Sequence, residues 1–547
     1  MTQGTVGHSV AIALEGLGGE LVEVETQISP GLPFFKLVGL PDTSLGEARE
    51  RVRAALQSSG CPLPASRVIT NMYPASLRKH GAGFDLAIAV SFLAAAGIIS
   101  AESPTRAVHI GELSLTGQVR AVVGVLPAVA AARAAGFDTV VVPADSKAEA
   151  ELVEDIRVVA VASLRAVALH YGADADDLTE ELEYPSSPAA RSTAREEQPG
   201  DSARPHQHLQ QHEQDTALDL SDVVGNEAAV RTLVIAAAGG HHLLMLGPPG
   251  AGKTMLAERL PGILPDLEPE AAVTLAAVRS LRGIPLAARL DRRPPFEAPH
   301  HTASTVALLG GGSGMIRPGA ISLATGGVLF LDEAPEFSRH TLDSMRQPLE
   351  NGVIEIHRAQ GRAAYPAEMQ LVLAANPCPC GNHGDPDADC RCDASAPRRY
   401  LARLSGPLLD RIDLQLRVER VSAARARLVD HEAQLEEPGS SGARSTTSTA
   451  DAREMVSLAR QRARQRLAAT PWSLNARVIS RWLRTPANRP TREAYAPLAV
   501  ALERGQVTMR GHDRVLRVAW TIADLAGVRR PELQHVQEAL SYRIRLG

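Results

Sequence analysis

From His242 to Thr254 the chain reads HLLMLGPPGAGKT, an apolar run followed by a glycine-rich loop that closes on a lysine and a threonine. That order suits phosphate chemistry. In the loop Gly247, Pro248, Pro249, Gly250, Ala251 and Gly252, the glycines let the backbone approach an anion without intervening side chains. Their N–H groups can then curl around α- and β-phosphates, while Lys253 reaches β and γ and the Thr254 hydroxyl holds Mg2+. The helix that must follow turns its positive end toward the same phosphates. Of 57 basic side chains only four are lysines, Lys36, Lys79, Lys147 and Lys253. An arginine-biased composition thus keeps one lysine beyond residue 147, where a compact ammonium is hard to replace.

A second constellation lies downstream. Val328 to Glu333, VLFLDE, reads as a buried parallel strand ending in two carboxylates that point different ways, because strand side chains alternate. Asp332 suits the Mg2+ shell and Glu333 suits activation of an attacking water. A third strand, Leu371 to Ala375, ends in Asn376, a polar tip able to orient that water or sense the γ-phosphate. Arg411, in RLSGPLLDRID, sits at a helix-to-strand corner. Its guanidinium can stabilise charge on the γ-phosphate of a neighbouring subunit, or form an ion pair with Asp410 or Asp413. Met509 and Arg510 open a helix over Asp513 to Leu525; Arg510 can close over the nucleotide, with Arg514 as the competing residue.

Four of the five cysteines, Cys378, Cys380, Cys390 and Cys392, form two C-x-C pairs on one short loop. Two thiolate pairs can close a tetrahedral Zn2+ site, with His383 as a substitute ligand, although reduced free thiols fit the same pattern.

These groups need elements to hold them. At 547 residues the chain is too long for one core. The spacing predicts an α/β unit over 1–172, with strands Ser9 to Leu14, Glu20 to Ile28, Phe34 to Leu40, Arg67 to Met72, Val108 to Leu115 and Thr139 to Val142. Its expected helices are Ser44 to Ser58, Phe84 to Ala96 and Leu126 to Ala135. Residues 173–217, with eleven acidic residues against three arginines, read as a flexible linker. A nucleotide-binding core over 218–430, a polar linker over 431–450 and an all-helical end over 451–547 complete the division. That last segment has eighteen arginines against eight acidic residues, while the whole chain is at −5. A basic final segment suits a polyanion, and a solvated helical surface suits it equally. The longest apolar run, Phe84 to Ile99, contains Asp85 and is too short to span a bilayer, so a cytoplasmic location is expected.

Taken together, SDVVGNEAAVRTLVIAAAGGHHLLMLGPPGAGKT, PHHTAS at Pro299 to Ser304, GGVLFLDEAPEF, NPCPCG, RLSGPLLDRIDL and RVLRVAWTIADL resemble the magnesium-chelatase-like AAA+ ATPases of the ComM/YifB family. The resemblance implies an α/β fold with a ribosomal S5 domain 2-like first domain, an AAA+ core and a helical lid. It makes Lys253 and Thr254 Walker A, Asp332 and Glu333 Walker B, Asn376 sensor 1, Arg411 the arginine finger and Arg510 sensor 2. It also implies ATP and Mg2+ as cofactor set, a hexameric ring, and DNA as the track, with branch migration of recombination intermediates as the task. The alternative it leaves is an ATPase that remodels a protein partner. Glu297, Thr325 and Trp520 depart from the family pattern.

Leu308 to Ser322 is glycine-rich and looks like an extended loop or hairpin, and Val353 to Leu373 suggests a second hairpin with a basic tip at His357, Arg358 and Arg362. Similar hairpins in the helicase-related branch grip nucleic-acid backbones, which gives salt-dependent, sequence-tolerant binding; a solvated hairpin is the rival reading. The first domain's likeness to Lon protease raises acyl chemistry. Gly83 stands at the serine position and Leu126 at the lysine position, so nucleophile and base are both missing.

Overall fold

The computed structural model describes residues 5–39, 42–77, 79, 81–179, 218–312, 315–358, 361–384, 389–421 and 447–543. The expected linkers over 173–217 and 431–450 fall mostly outside the described residues. The first described unit holds β1 (Thr5–Glu15), β2 (Gly18–Ser29), β3 (Phe34–Val38), β4 (Arg67–Tyr73), β5 (Val108–His109), β6 (Glu112–Leu113), β7 (Val119–Arg120), β8 (Thr139–Pro143) and β9 (Arg157–Val161). Seven of these form one mixed sheet in the order β3-β4-β2-β1-β5-β8-β9. The helix Asp85–Ala95 is buried on every side, as an apolar helix must be, and it lies against β1 and β2. Gly7 permits that approach, because a Cβ there would fall 2.2 Å from the Ser91 carbonyl oxygen.

One expectation needs correction. Val108 to Leu115 is not one strand: the chain breaks at Ile110 and Gly111, where Gly111 N–H donates to the Gly83 carbonyl. A side chain at Gly111 would meet Val119 Cγ1 at 2.8 Å, so the bend brings β7 close. The strand β9 and the helix Leu164–His170 complete the unit beyond the elements expected from spacing.

The central unit adds β10 (Leu243–Leu246), β11 (Phe296–Glu297), β12 (Gly310–Gly311), β13 (Arg317–Pro318), β14 (Val328–Leu331), β15 (Val353–Arg358), β16 (Gly361–Pro366), β17 (Gln370–Ala375) and β18 (Leu414–Arg417). Five of them form a parallel sheet in the order β11-β14-β17-β10-β18. All residues of β10, β14 and β17 are buried, and they alternate between two cores. Leu243, Met245, Val328, Phe330, Val372 and Ala374 face one core, and Leu244, Leu246, Leu329, Leu331, Leu371 and Leu373 the other. Truncating Phe330 to alanine would cost about 3–5 kcal/mol. Such burial makes the strand ends rigid supports.

The C-terminal helices Thr449–Leu467, Arg492–Glu503, Met509–Ala526 and Leu533–Ser541 share the first of those cores, through Val456, Leu498, Trp520 and Val536. Ser448, Thr491 and Thr508 cap three of them with side-chain oxygens. The Thr508 cap starts the last long helix at Met509, a full turn before Asp513. No helix among the described residues is long and apolar enough to cross a membrane.

Candidate nucleotide site

The loop after β10 owes its path to its glycines. A Cβ on Gly247 would lie 2.2 Å from the Val418 carbonyl oxygen, and Gly250 and Gly252 adopt φ of 77° and 86°, which favour glycine. Gly252 leads straight into the helix Lys253–Ile263. Lys253 Nζ donates to the carbonyl oxygens of Gly247 at 2.7 Å and Pro248 at 2.9 Å, and to Asn376 Oδ1 at 3.1 Å. Burial lowers its pKa, and the nearby charges of Asp332 and Glu333 oppose that shift.

Sheet order explains the convergence. β17 lies between β10 and β14, with Ala375 opposite Leu246 and Leu373 opposite Leu331. Asn376 therefore emerges between the phosphate loop and the acidic pair. Thr254 Oγ1 donates to Asp332 Oδ2 at 2.8 Å, which sets two hard oxygen ligands side by side, as Mg2+ requires. The other Asp332 oxygen accepts the Glu333 N–H at 2.9 Å. Glu333 takes a left-handed φ of 49°, strained for a non-glycine residue. His301 Nδ1 lies 3.4 Å from Glu333 Oε2. The sequence assigned His301 no role, yet a polar pair just after β11, the strand beside β14, was the available signal.

A glycine-rich loop with its lysine, a hydroxyl–carboxylate pair, a second carboxylate and an amide thus share one end of a parallel sheet, an arrangement that can cradle phosphates and hold Mg2+. Models of magnesium chelatase subunit ChlI match residues 219–426, those of subunit ChlI of Mg-chelatase match 24–146, and those of the ChlI C-terminal region match 446–543. Competence protein ComM of Haemophilus influenzae and YifB of Escherichia coli are each 39% identical to the chain, covering 96% of it and 95% of their own lengths. A Mycobacterium tuberculosis protein is 44% identical, with 98% of each chain covered. The chain belongs to the magnesium-chelatase-like ComM/YifB family. Its fold is α/β with an AAA+ core and a helical C-terminal region, and its family is one of ATPases.

The ComM/YifB arginines stand apart from this cluster. Arg411 donates to the carbonyl oxygens of Arg346 at 3.1 Å and Pro407 at 2.6 Å, and its guanidinium meets Glu350. It pairs with neither Asp410 nor Asp413, because each is engaged elsewhere. Asp410 lies 3.5 Å from Arg510, while buried Asp413 accepts from His241 at 3.0 Å and Arg514 at 2.8 Å. Burial opposes the Asp413 charge, but the His241 hydrogen bond and the Arg514 charge outweigh it and hold its carboxyl far below the usual range. Arg514 is thereby committed to joining the lid to the sheet. Arg510, 73% exposed, is the member of that pair with its head in solvent.

Of the departures from the ComM/YifB pattern, Trp520 and Thr325 are buried and Glu297 is half-buried. Trp520 donates Nε1–H to the Asn488 carbonyl at 3.1 Å with Arg466 stacked on its ring, and Thr325 bonds the Pro366 carbonyl at 3.2 Å. Glu297, on β11, has its pKa pushed up to about 7 by burial, against the charges of Arg279 and Arg282. Leu126, at the lysine position of the protease pattern, packs on Ala276 and Ala277 of the core.

The basic hairpin forms as β15–β16, with His357 opposite Arg362 and Arg358 opposite Gly361. His357 and Arg362 share Glu355, at 3.5 and 3.3 Å. The glycine-rich segment folds partly as β12–β13, and the hairpins touch where Arg358 approaches Gly311 and where the Tyr365 hydroxyl donates to the Ile316 carbonyl. The turn after β1 also reaches them: Leu14 and Leu17 join Tyr365 in one cluster, and Glu15 accepts the Arg362 N–H at 3.3 Å. The four loop cysteines converge, all sulfurs lying within 4.8 Å of one another, a set that can hold a metal ion; exposed His383 is outside it.

Proposed function

We propose that the protein is an ATP-driven ring motor that moves along DNA and promotes branch migration of recombination intermediates. The observation that carries the motor is the convergence of Lys253, Thr254, Asp332, Glu333 and Asn376 at the tips of three adjacent buried strands. Lys253 and the loop 247–252 bind the triphosphate, Thr254 and Asp332 hold Mg2+, Glu333 takes a proton from the attacking water, and Asn376 orients that water. Mg2+ held there would supply charge neutralisation to the triphosphate. His301 orients the Glu333 carboxylate. Arg411 enters the site of the next subunit in a hexamer, and Arg510 closes from the lid. Four cysteine thiolates hold one structural Zn2+. The domain division is 1–172, 218–430 and 451–547, joined by the two polar linkers, and the protein works in the cytoplasm.

The DNA half rests on the likeness to a competence protein and on the paired hairpins with Arg358 and Arg362 exposed. The magnesium chelatase family models favour a second reading, an ATPase that remodels a protein partner. Steady-state ATP hydrolysis decides between them, measured with no DNA, with single-stranded DNA and with a three-way junction. Strong stimulation by DNA, lost in Glu333→Gln with a fall of about 10²–10⁴ in turnover, is the expected outcome. Turnover indifferent to every DNA would sink the DNA motor in favour of a protein partner.

A further inference from the structure

The cysteine loop is joined to the nucleotide site at both of its ends. Cys378 follows Asn376 by two residues and is fully buried. Gly381, at φ 85°, presses on the phosphate loop so closely that a Cβ there would lie 2.5 Å from Pro249 Cδ. From Cys392 the chain passes through Asp393, whose carboxylate accepts from Ser395 and Arg399, into the helix Ala396–Leu401. Beyond that helix Arg403 binds the Pro335 carbonyl at 3.2 Å and Glu336 at 3.0 Å, just after the acidic pair. Arg411 follows eight residues later.

The sulfur geometry is that of metal ligands. Cys378 lies 3.3 Å from Cys380 and 3.8 Å from Cys390, and Cys380 lies 3.6 Å from Cys390. Four sulfurs at about 2.3 Å from one Zn2+ form a tetrahedron with edges of about 3.8 Å. Disulfide partners would stand at about 2.05 Å.

We propose that Cys378, Cys380, Cys390 and Cys392 bind one Zn2+ as a tetrathiolate and that this ion positions Asn376 and the phosphate loop for ATP hydrolysis. The ion ties the segment leaving β17 to the segment entering the Ala396–Leu401 helix. Without it, the two segments of the loop lose the bond that ties them, and Asn376, two residues before buried Cys378, loses its support. The metal half stands on the sulfurs alone, whereas the positioning half rests on the ATPase reading above.

The test uses the full chain, purified under reducing conditions. Elemental analysis should give about one zinc per chain, retained in Cys61→Ser and lost in Cys380→Ser and Cys392→Ser; Co2+ replacement should give the visible bands of a tetrahedral thiolate site. Iron in place of zinc, or no metal at all, overturns the site. Cys392→His keeps a ligand and should keep both metal and turnover, which controls for misfolding. Turnover should fall about 10–100-fold in Cys392→Ser, and the same substitution in an Asn376→Ala background should cost a smaller factor, the part that passes through the phosphate loop. Fully additive losses overturn the positioning role. A wild type that holds zinc but hydrolyses no ATP overturns positioning together with the ATPase reading, and the metal site then stands.

Discussion

Lys253 has three hydrogen bonds within the tips of two neighbouring buried strands, whereas Arg358 and Arg362 stand on a two-stranded ribbon at the surface, where Arg362 pairs with Glu355. Hydrogen bonds hold Lys253, Thr254 and Asp332 together, as the proposed electrostatic catalysis requires, because reorganisation during the reaction would cost rate. The hairpin groups need only present positive charge, and long side chains in water do that without fixed geometry. Precision at the strand tips therefore follows from the buried strands beneath them. Removal of a strand-tip or corner residue should act on turnover, and removal of a hairpin residue should act on affinity and its salt dependence.

Arg411 is where that contrast can fail most visibly. It lies at a corner, 12% exposed, and it is bound to Glu350 and two carbonyl oxygens. If it serves a neighbouring subunit's γ-phosphate, Arg411→Ala lowers kcat about 10³-fold while the apparent Tm stays within a degree or two. Mixing that variant with Lys253→Ala then restores part of the turnover, because mixed rings recover sites with both groups intact. A large fall in Tm, with turnover per folded chain unchanged, would assign Arg411 to the packing of its corner instead.

The hairpin side is sharpened by Arg358→Ala combined with Arg362→Ala. Each phosphate contact on single-stranded DNA contributes about 0.7 to the slope of log affinity against log salt. The double variant should bind single-stranded DNA about tenfold more weakly at moderate salt and lower the slope by about 1.4. ATP turnover without DNA should not change. An unaltered slope would mean that Glu355 already neutralises this tip and that the polyanion is held elsewhere, the basic C-terminal helices being the next surface to probe.

The phosphate loop, the acidic pair and Asn376 were legible because each requires a distinctive local pattern: glycines where a Cβ collides, four apolar residues ahead of a charge, a polar residue at a strand end. The buried alternation of β10, β14 and β17 was legible for the same reason. Pairings across the chain were not. Nothing local to Asp410, Arg411 and Asp413 says that three adjacent charges choose Arg510, Glu350 and the His241–Arg514 pair, since those choices depend on how the lid helix lies on the sheet. His301 meets Glu333 only through the β11–β14 pairing, and β11 is two residues long. The bend at Gly111 was invisible because the residue it packs against, Val119, lies eight residues away in another strand.

Glu297 sets the edge of the buried system, for it lies on β11 next to the strand that carries Asp332 and Glu333. With its pKa raised to about 7, the fold favours its neutral form. Below the ordinary carboxyl range both folded and unfolded chains hold the proton and stability is unaffected. As pH rises from there the unfolded chain releases the proton and the folded chain keeps it, so stability declines until about pH 7 and stays low above it. Glu297→Gln has no proton to lose. It should stabilise the protein at pH 8 by about 1–2 kcal/mol, less than the full shift because part of the side chain meets solvent. That is a rise in apparent Tm of about 2–6 °C, shrinking to nothing near pH 4. A gain independent of pH would mean that the amide simply packs better, and no gain would place β11 with the solvated hairpins, so that burial near the acidic pair stops at β14.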